Sequence, residues 1–158
     1  MSLALREFAL EIPMGRIAGL RGGRGTGLPV LALHGWLDNA ASFVPLAAHL
    51  DGIELVAPDL PGHGRSAHLP RGADYSFAGA VASVLDIADA LGWTRFALLG
   101  HSMGAGIGSL VAAACPQRVA GCSQRPAPKR DWNASVHASG ANPSASAIAA
   151  ALASHCRG

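Results

Sequence analysis

The stretch Arg95-Phe96-Ala97-Leu98-Leu99-Gly100-His101-Ser102-Met103-Gly104 decides the fold, because it sets a serine between a strand pattern and a helix pattern. Residues 96–99 form an apolar run typical of a buried strand, and residues 105–115 are mainly small and apolar over helical length. Gly-x-Ser-x-Gly alone is a weak signal. With a strand before it and a helix after it, the motif predicts a sharp strand-to-helix turn with Ser102 at its tip.

Such a turn folds the chain back on itself, which favours glycine two residues before and two residues after the serine. Gly100 and Gly104 meet this condition. A hydroxyl at the tip projects from the carboxyl edge of the sheet, and the amide of Met103, at the start of the helix, faces any anion that develops there. Ser102 is therefore a candidate nucleophile, and Met103 supplies half of a candidate oxyanion hole.

A second strand pattern, residues 28–33, runs directly into His34-Gly35-Trp36. Gly35 permits a tight approach of the loop. We interpret His34 as a hydrogen-bonded residue that holds the loop shape rather than as a catalytic base. For the Trp36 side chain, contact with a substrate and simple packing remain equally open.

A third strand pattern ends in Asp59-Leu60-Pro61-Gly62-His63-Gly64-Arg65-Ser66. Pro58, Pro61, Gly62 and Gly64 stop the strand and force successive turns. Because the three strands are predicted to be parallel, their following loops should share one edge of the sheet. Asp59 and His63 could be imagined in a catalytic triad, but turn residues of these types usually bond local backbone, and we assign them that role.

The three motifs together resemble the α/β-hydrolase family, in its serine-hydrolase-like branch. The resemblance covers approximately residues 8–121. It implies a three-layer α/β sandwich with a mostly parallel sheet, and a serine hydrolase that acts on an ester-like or related acyl substrate. It also implies that Ser102 is the nucleophile and that the backbone N–H groups of Trp36 and Met103 are the oxyanion donors. The supporting residues would be His34, Gly35, Gly100, His101 and Gly104.

The chain departs from this family after residue 121. Family members continue with further strands, an acid and a late histidine, whereas residues 122–132 contain no apolar run of strand length. We therefore expect an incomplete hydrolase domain over residues 1–121 and a low-complexity, disordered tail over 122–158, with a possible helix at 144–154. A truncation or a shifted reading frame would explain the change.

The triad acid and base are not found. His137 and His155 are the only histidines beyond the helix that follows Ser102, and neither follows a recognisable strand. The alternative function is accordingly a catalytically silent fragment with at most a binding role.

Composition narrows the remaining possibilities. The 158 residues are 50% hydrophobic and 14% charged, with a net charge of +2 that gives no reason to expect a nucleic-acid or membrane partner. Scattered glycines at 22–27 precede a strand rather than a helix, which argues against a dinucleotide site. Cys115, Cys122 and Cys156 lack the spacing of a zinc site and are expected to be reduced thiols. We expect no cofactor, no metal and, without a signal or spanning segment, a cytoplasmic location.

Overall fold

The computed structural model describes residues 3–73 and 75–125, with backbone alone for 122–125. Six strands and three helices form the described part of the chain. The strands are β1 (Arg6–Ile12), β2 (Gly15–Gly22), β3 (Leu28–Leu33), β4 (Ile53–Pro58), β5 (Phe96–His101) and β6 (Val119–Arg125). The helices are α1 (Val44–Ala47), α2 (Phe77–Ala90) and α3 (Met103–Ala114).

All six strands belong to one sheet, in the order β1-β2-β4-β3-β5-β6. The pairs β4/β3, β3/β5 and β5/β6 are parallel, whereas β1/β2 and β2/β4 are antiparallel. The predicted mostly parallel sheet is therefore confirmed. Because β3, β4 and β5 run in the same direction, the loops that follow them meet at one edge of the sheet, as expected.

Helices cover both faces of the sheet, which gives the predicted three layers. Side chains alternate between the two faces of a strand, so Leu31 and Leu33 of β3 belong to one apolar cluster and Val30 and Ala32 to the other. The first cluster includes residues from α2 and α3. The second includes Phe43, Ala47 and Leu50 from the segment that follows β3.

The segment between β3 and β4 differs from its sequence-based prediction. A single helix capped by Ser42 and running through Leu50 is expected from the apolar spacing, but the chain forms a 3-10 turn at Ala40–Phe43 followed by the short helix α1. Asn39 caps the turn, since its side chain accepts a hydrogen bond from the Ala41 N–H at 2.9 Å. Beyond α1, hydrogen bonds between residues three apart continue to Leu50, because the N–H groups of His49 and Leu50 bond the carbonyls of Leu46 and Ala47. The apolar side chains still lie on one face of the segment, because both kinds of helix bring residues three and four apart together.

The expectation that no strand follows residue 121 is wrong. Strand β6 pairs in parallel with β5 through the register Ala97↔Gly121 to His101↔Arg125, with an irregularity at its start. Parallel pairing uses backbone groups, so a strand at the border of the sheet does not require an apolar run. The remaining tail, including His137, His155, Cys156 and the possible helix at 144–154, lies outside the described residues.

Two further findings concern the described residues alone. None of their helices is both long enough and apolar enough to cross a bilayer. Cys115 is a free thiol, and the Cys122 and Cys156 side chains are not among those described.

Candidate active site

Ser102 lies between the last residue of β5 and the first residue of α3, as the sequence predicts. Its backbone has φ 51° and ψ −112°, a conformation that residues with a side chain rarely adopt, and its side chain is exposed. The other non-glycine residue with positive φ in the described ranges is Leu37, at φ 55° in the loop after β3. Strained backbone of this kind clusters at functional sites, so both loops are of interest.

Gly100 and Gly104 make the turn sterically possible. A Cβ on Gly100 would lie 2.5 Å from the Cα of Ala105, and a Cβ on Gly104 would overlap the carbonyl oxygen of Leu33. Both obstacles are backbone atoms, which cannot move aside as a flexible side chain can. The two glycines therefore allow α3 to start directly against β5 and β3.

His34 joins the loop after β3 to the loop after β4. Its Nε2 accepts a hydrogen bond from the Leu60 N–H at 2.9 Å, while Nδ1 lies 2.8 Å from the carbonyl oxygen of Gly35. Because a carbonyl can only accept, Nδ1 carries the proton and the neutral ring uses both of its nitrogens. Burial lowers the pKa of His34 below its ordinary 6.5, an effect that outweighs the hydrogen bond to Gly35. Both nitrogens of the ring are therefore engaged in contacts that hold the two loops together.

Asp59 is the second link between these loops. It is buried, and its two carboxylate oxygens accept hydrogen bonds from the Ala40 N–H and the Arg65 N–H, each at 2.8 Å. Ser66 extends the link to β2, because its hydroxyl donates to the Asp59 carbonyl at 2.6 Å and accepts from the Ala18 N–H at 2.9 Å. Asp59 thus bonds backbone, as predicted, but one of its two partners, Ala40, lies in another loop 19 positions away.

The loop after β3 approaches Ser102 closely. A Cβ on Gly35 would lie 3.6 Å from the Cβ of Ser102 and 3.1 Å from Nδ1 of His101. The loop then turns through Trp36 and Leu37, closed by a hydrogen bond from the Asp38 N–H to the Gly35 carbonyl. The side chain of Trp36 is 66% exposed and meets the ring of His63 edge-on at 5.9 Å. Trp36 is thus a surface residue beside Ser102.

A cavity of about 480 Å³ opens at this edge of the sheet. Trp36, His63, Ser102 and Met103 line it together, so the structure brings three of the predicted site residues to one space. Most other lining side chains are apolar; among them are Leu60, Leu69, Tyr75, Phe77 and Ile107. The volume falls within the range of pockets that bind small molecules.

Two cavity-lining features are missed by sequence reasoning. His63 is treated there as a turn residue; its Nδ1 does bond locally, at 3.1 Å from the Pro61 carbonyl, but the ring also faces the cavity. The apolar spacing predicts a helix from Tyr75 to Leu91 with Phe77 in its repeat, whereas α2 begins at Phe77 and both Tyr75 and Phe77 line the cavity. No local sequence signal marks either residue as part of a cavity wall.

The fold of this chain is shared with proteins of known family. A sequence profile described as the alpha/beta hydrolase fold matches residues 29–133. The chain belongs to the α/β-hydrolase family. The match extends past residue 121 and includes β6, in agreement with the corrected strand assignment.

Members of this family with related sequences are known from animals and bacteria. The chain is 42% identical over 120 residues to a serine hydrolase-like protein of Danio rerio, covering 75% of this chain but only 37% of that relative. A crystal structure of a hypothetical protein from Pseudomonas aeruginosa PAO1 has 43% identity and a TM-score of 0.74, covering 82% of this chain and 46% of the other. A bacterial membrane phospholipase A has 31% identity and a TM-score of 0.71, covering 80% and 42%. This α/β-hydrolase chain therefore spans less than half the length of these three proteins.

Proposed function

We propose that this α/β-hydrolase chain carries the nucleophile and the oxyanion hole of a serine hydrolase that acts on an ester-like acyl substrate. The observation that carries the proposal is that Ser102 is exposed, at the tip of the strained turn between β5 and α3, and lines the cavity. A serine needs this exposure to attack a carbonyl carbon.

The two oxyanion donors in this proposal are backbone N–H groups of Met103 and Trp36. Met103 is the first residue of α3, and amides in the first turn of a helix have no partner within the helix. Gly35, directly before Trp36, is packed against Ser102. Donors on both sides of the serine suit the negative oxygen of a tetrahedral intermediate.

In the reaction, Ser102 Oγ bonds to the acyl carbon, and the ester C–O bond breaks to release the alcohol. Water then cleaves the acyl-serine and restores the hydroxyl. The proton of Ser102 must pass to a base and from it to the leaving alcohol. His34 does not suit this task because both ring nitrogens are engaged. Among the described residues, His63 is the histidine whose ring lines the cavity.

A silent fragment with a binding role is the second candidate. It is favoured by one observation: in the described ranges, neither aspartate nor glutamate lines the cavity beside Ser102. Without an acid to orient it, a histidine base is much less effective. The cavity itself is retained under this alternative, so binding would survive where turnover does not.

Hydrolysis of 4-nitrophenyl butyrate separates the two candidates. The wild-type chain, Ser102→Ala and the matched variant Ser109→Ala should be compared, since Ser109 lies on the same helix and bonds the Ala105 carbonyl. The proposal predicts turnover that disappears in Ser102→Ala and persists in Ser109→Ala. Equal rates in all three proteins would refute it and leave the binding candidate.

A further inference from the structure

Three exposed aromatic side chains line the cavity beside Ser102. Trp36, Tyr75 and Phe77 are 66%, 51% and 49% exposed, and all three line the cavity. Aromatic side chains left in water at one place usually mark a surface that binds a ligand.

Phe77 is seated on a glycine of α3. A Cβ on Gly106 would lie 2.9 Å from Cε1 of Phe77, closer than side chains tolerate, so the missing Cβ makes room for the ring. Gly106 is one helical turn beyond Ser102, and its own amide bonds the Ser102 carbonyl at 3.2 Å. The Phe77 ring thus forms part of the cavity wall, against a glycine that lies one helical turn from the serine.

The segment that leads into Phe77 is held in place. The ring of Tyr75 covers Gly62, where a Cβ would lie 2.6 Å from its Cε1, and its hydroxyl accepts a hydrogen bond from the Leu69 N–H at 2.8 Å. Ser76 caps α2 by accepting from the Gly79 N–H at 3.1 Å. Because Tyr75 and Ser76 are both anchored, the backbone holds Phe77 at this position beside the cavity.

We propose that the cavity takes the aliphatic acyl chain of the substrate, and that Phe77, packed on Gly106, limits the length of the chain that fits. The apolar lining by Leu60, Leu69, Met103 and Ile107 suits hydrocarbon. The assignment of the ligand as an acyl group rests on the proposed function, whereas the role of Phe77 in limiting length does not. Phe77 is accordingly a specificity-determining residue.

The test measures binding, so that it does not depend on turnover. Dissociation constants of hexanoate and dodecanoate are measured by calorimetry for the wild type, Phe77→Ala, Phe77→Leu, Gly106→Ala and the double variant. Leu110→Ala is the control, because Leu110 is exposed on α3 and does not line the cavity. Circular dichroism establishes that each variant is folded.

Phe77→Ala should shift the preference toward dodecanoate by about tenfold, and Phe77→Leu by less, since removal of a pocket wall changes discrimination on this scale. Gly106→Ala should shift it in the opposite direction, because the new methyl group pushes the ring into the cavity. In the double variant the methyl group has no ring to push, so its preference should equal that of Phe77→Ala.

An unchanged preference in all variants, or no binding of either carboxylate by the wild type, would overturn the inference. The proposed function is judged separately by the nitrophenyl ester: turnover that requires Ser102 with no change in chain preference rejects only the role of Phe77. Shifted binding without turnover supports the pocket and rejects the enzyme.

Discussion

The Leu60 N–H donates a 2.9 Å hydrogen bond to Nε2 of His34, and this contact ties together the two loops that flank the candidate active site. Both residues are buried. A proton added to His34 would have to go on Nε2, where it would face the Leu60 N–H instead of accepting from it. The contact therefore requires a neutral imidazole.

This requirement predicts a pH dependence of stability. Because the pKa of His34 is lowered below 6.5 in the folded chain, the unfolded chain binds the proton more readily. The stabilisation is complete above about pH 6.5 and is lost as the pH falls, with a slope of at most about 1.4 kcal/mol per pH unit from this one group. Urea unfolding between pH 8 and pH 5.5 measures it.

The control for this prediction is His34→Gln, which cannot titrate. Its free energy of unfolding should be lower than that of the wild type at pH 8, but should fall less on acidification. If the free energy of unfolding falls equally with pH in the two proteins, His34 does not titrate as the contact with Leu60 requires.

Gly104→Ala should destabilise the chain strongly, because the added Cβ meets the Leu33 carbonyl, a backbone atom at the centre of the sheet. We expect a loss of about 3 kcal/mol or more, at the upper end of overpacking effects. Gly106→Ala is the matched control, since its Cβ meets only the ring of Phe77. Thermal melts of the two variants should differ clearly, and equal melting temperatures would argue against the close contact of α3 with β3.

Asp59→Ala should cost about 2 to 4 kcal/mol, because it leaves the amides of Ala40 and Arg65 without their acceptor. The exposed Asp51, which bonds the neighbouring Gly52 N–H, offers a comparison. Asp51→Ala should change the unfolding midpoint in urea much less. A small effect at both positions would mean that water readily replaces Asp59.

Leu37→Asn should stabilise the chain slightly. Leu37 has φ 55° and is 81% exposed, so it bears the cost of a left-handed conformation with little burial in return. Asparagine tolerates this conformation better, and a gain of about 0.5 kcal/mol is expected. Leu110→Asn, an exposed position within α3, should instead lose a few tenths of a kcal/mol. Stabilisation at neither position would indicate that the Leu37 side chain has a packing role.

Much of this architecture is predictable from local sequence. β3 and β4 are apolar throughout except for Glu54, and Pro58 at the end of β4, with Pro61, Gly62 and Gly64 after it, marks where the strand stops. The turn at Ser102 is predictable because Gly100 and Gly104 satisfy a steric condition that lies within five residues. Such features depend on neighbours along the chain.

The parts of the structure that differ from the sequence-based predictions depend on contacts between residues far apart in the sequence. Strand β6 is stabilised by backbone pairing with β5, and its own amino-acid sequence has no strand pattern that would predict this pairing. The wall of the cavity depends on Tyr75 covering Gly62 and on Phe77 meeting Gly106, contacts across 13 and 29 positions that no local pattern encodes. Asn39 rather than Ser42 is the cap because the Asn39 side chain accepts from the Ala41 N–H. The hydroxyl of Ser42 instead donates to Asp38 at 2.5 Å.

The nucleophilic role of Ser102 is tested most directly by labelling. The wild-type chain is treated with a fluorophosphonate, digested, and the modified residue is located by mass spectrometry, with Ser102→Ala and Ser109→Ala treated in parallel. We predict a single adduct on Ser102 that is absent from Ser102→Ala and unchanged in Ser109→Ala. Labelling spread over several serines, or no adduct on Ser102 in the folded chain, would contradict the account.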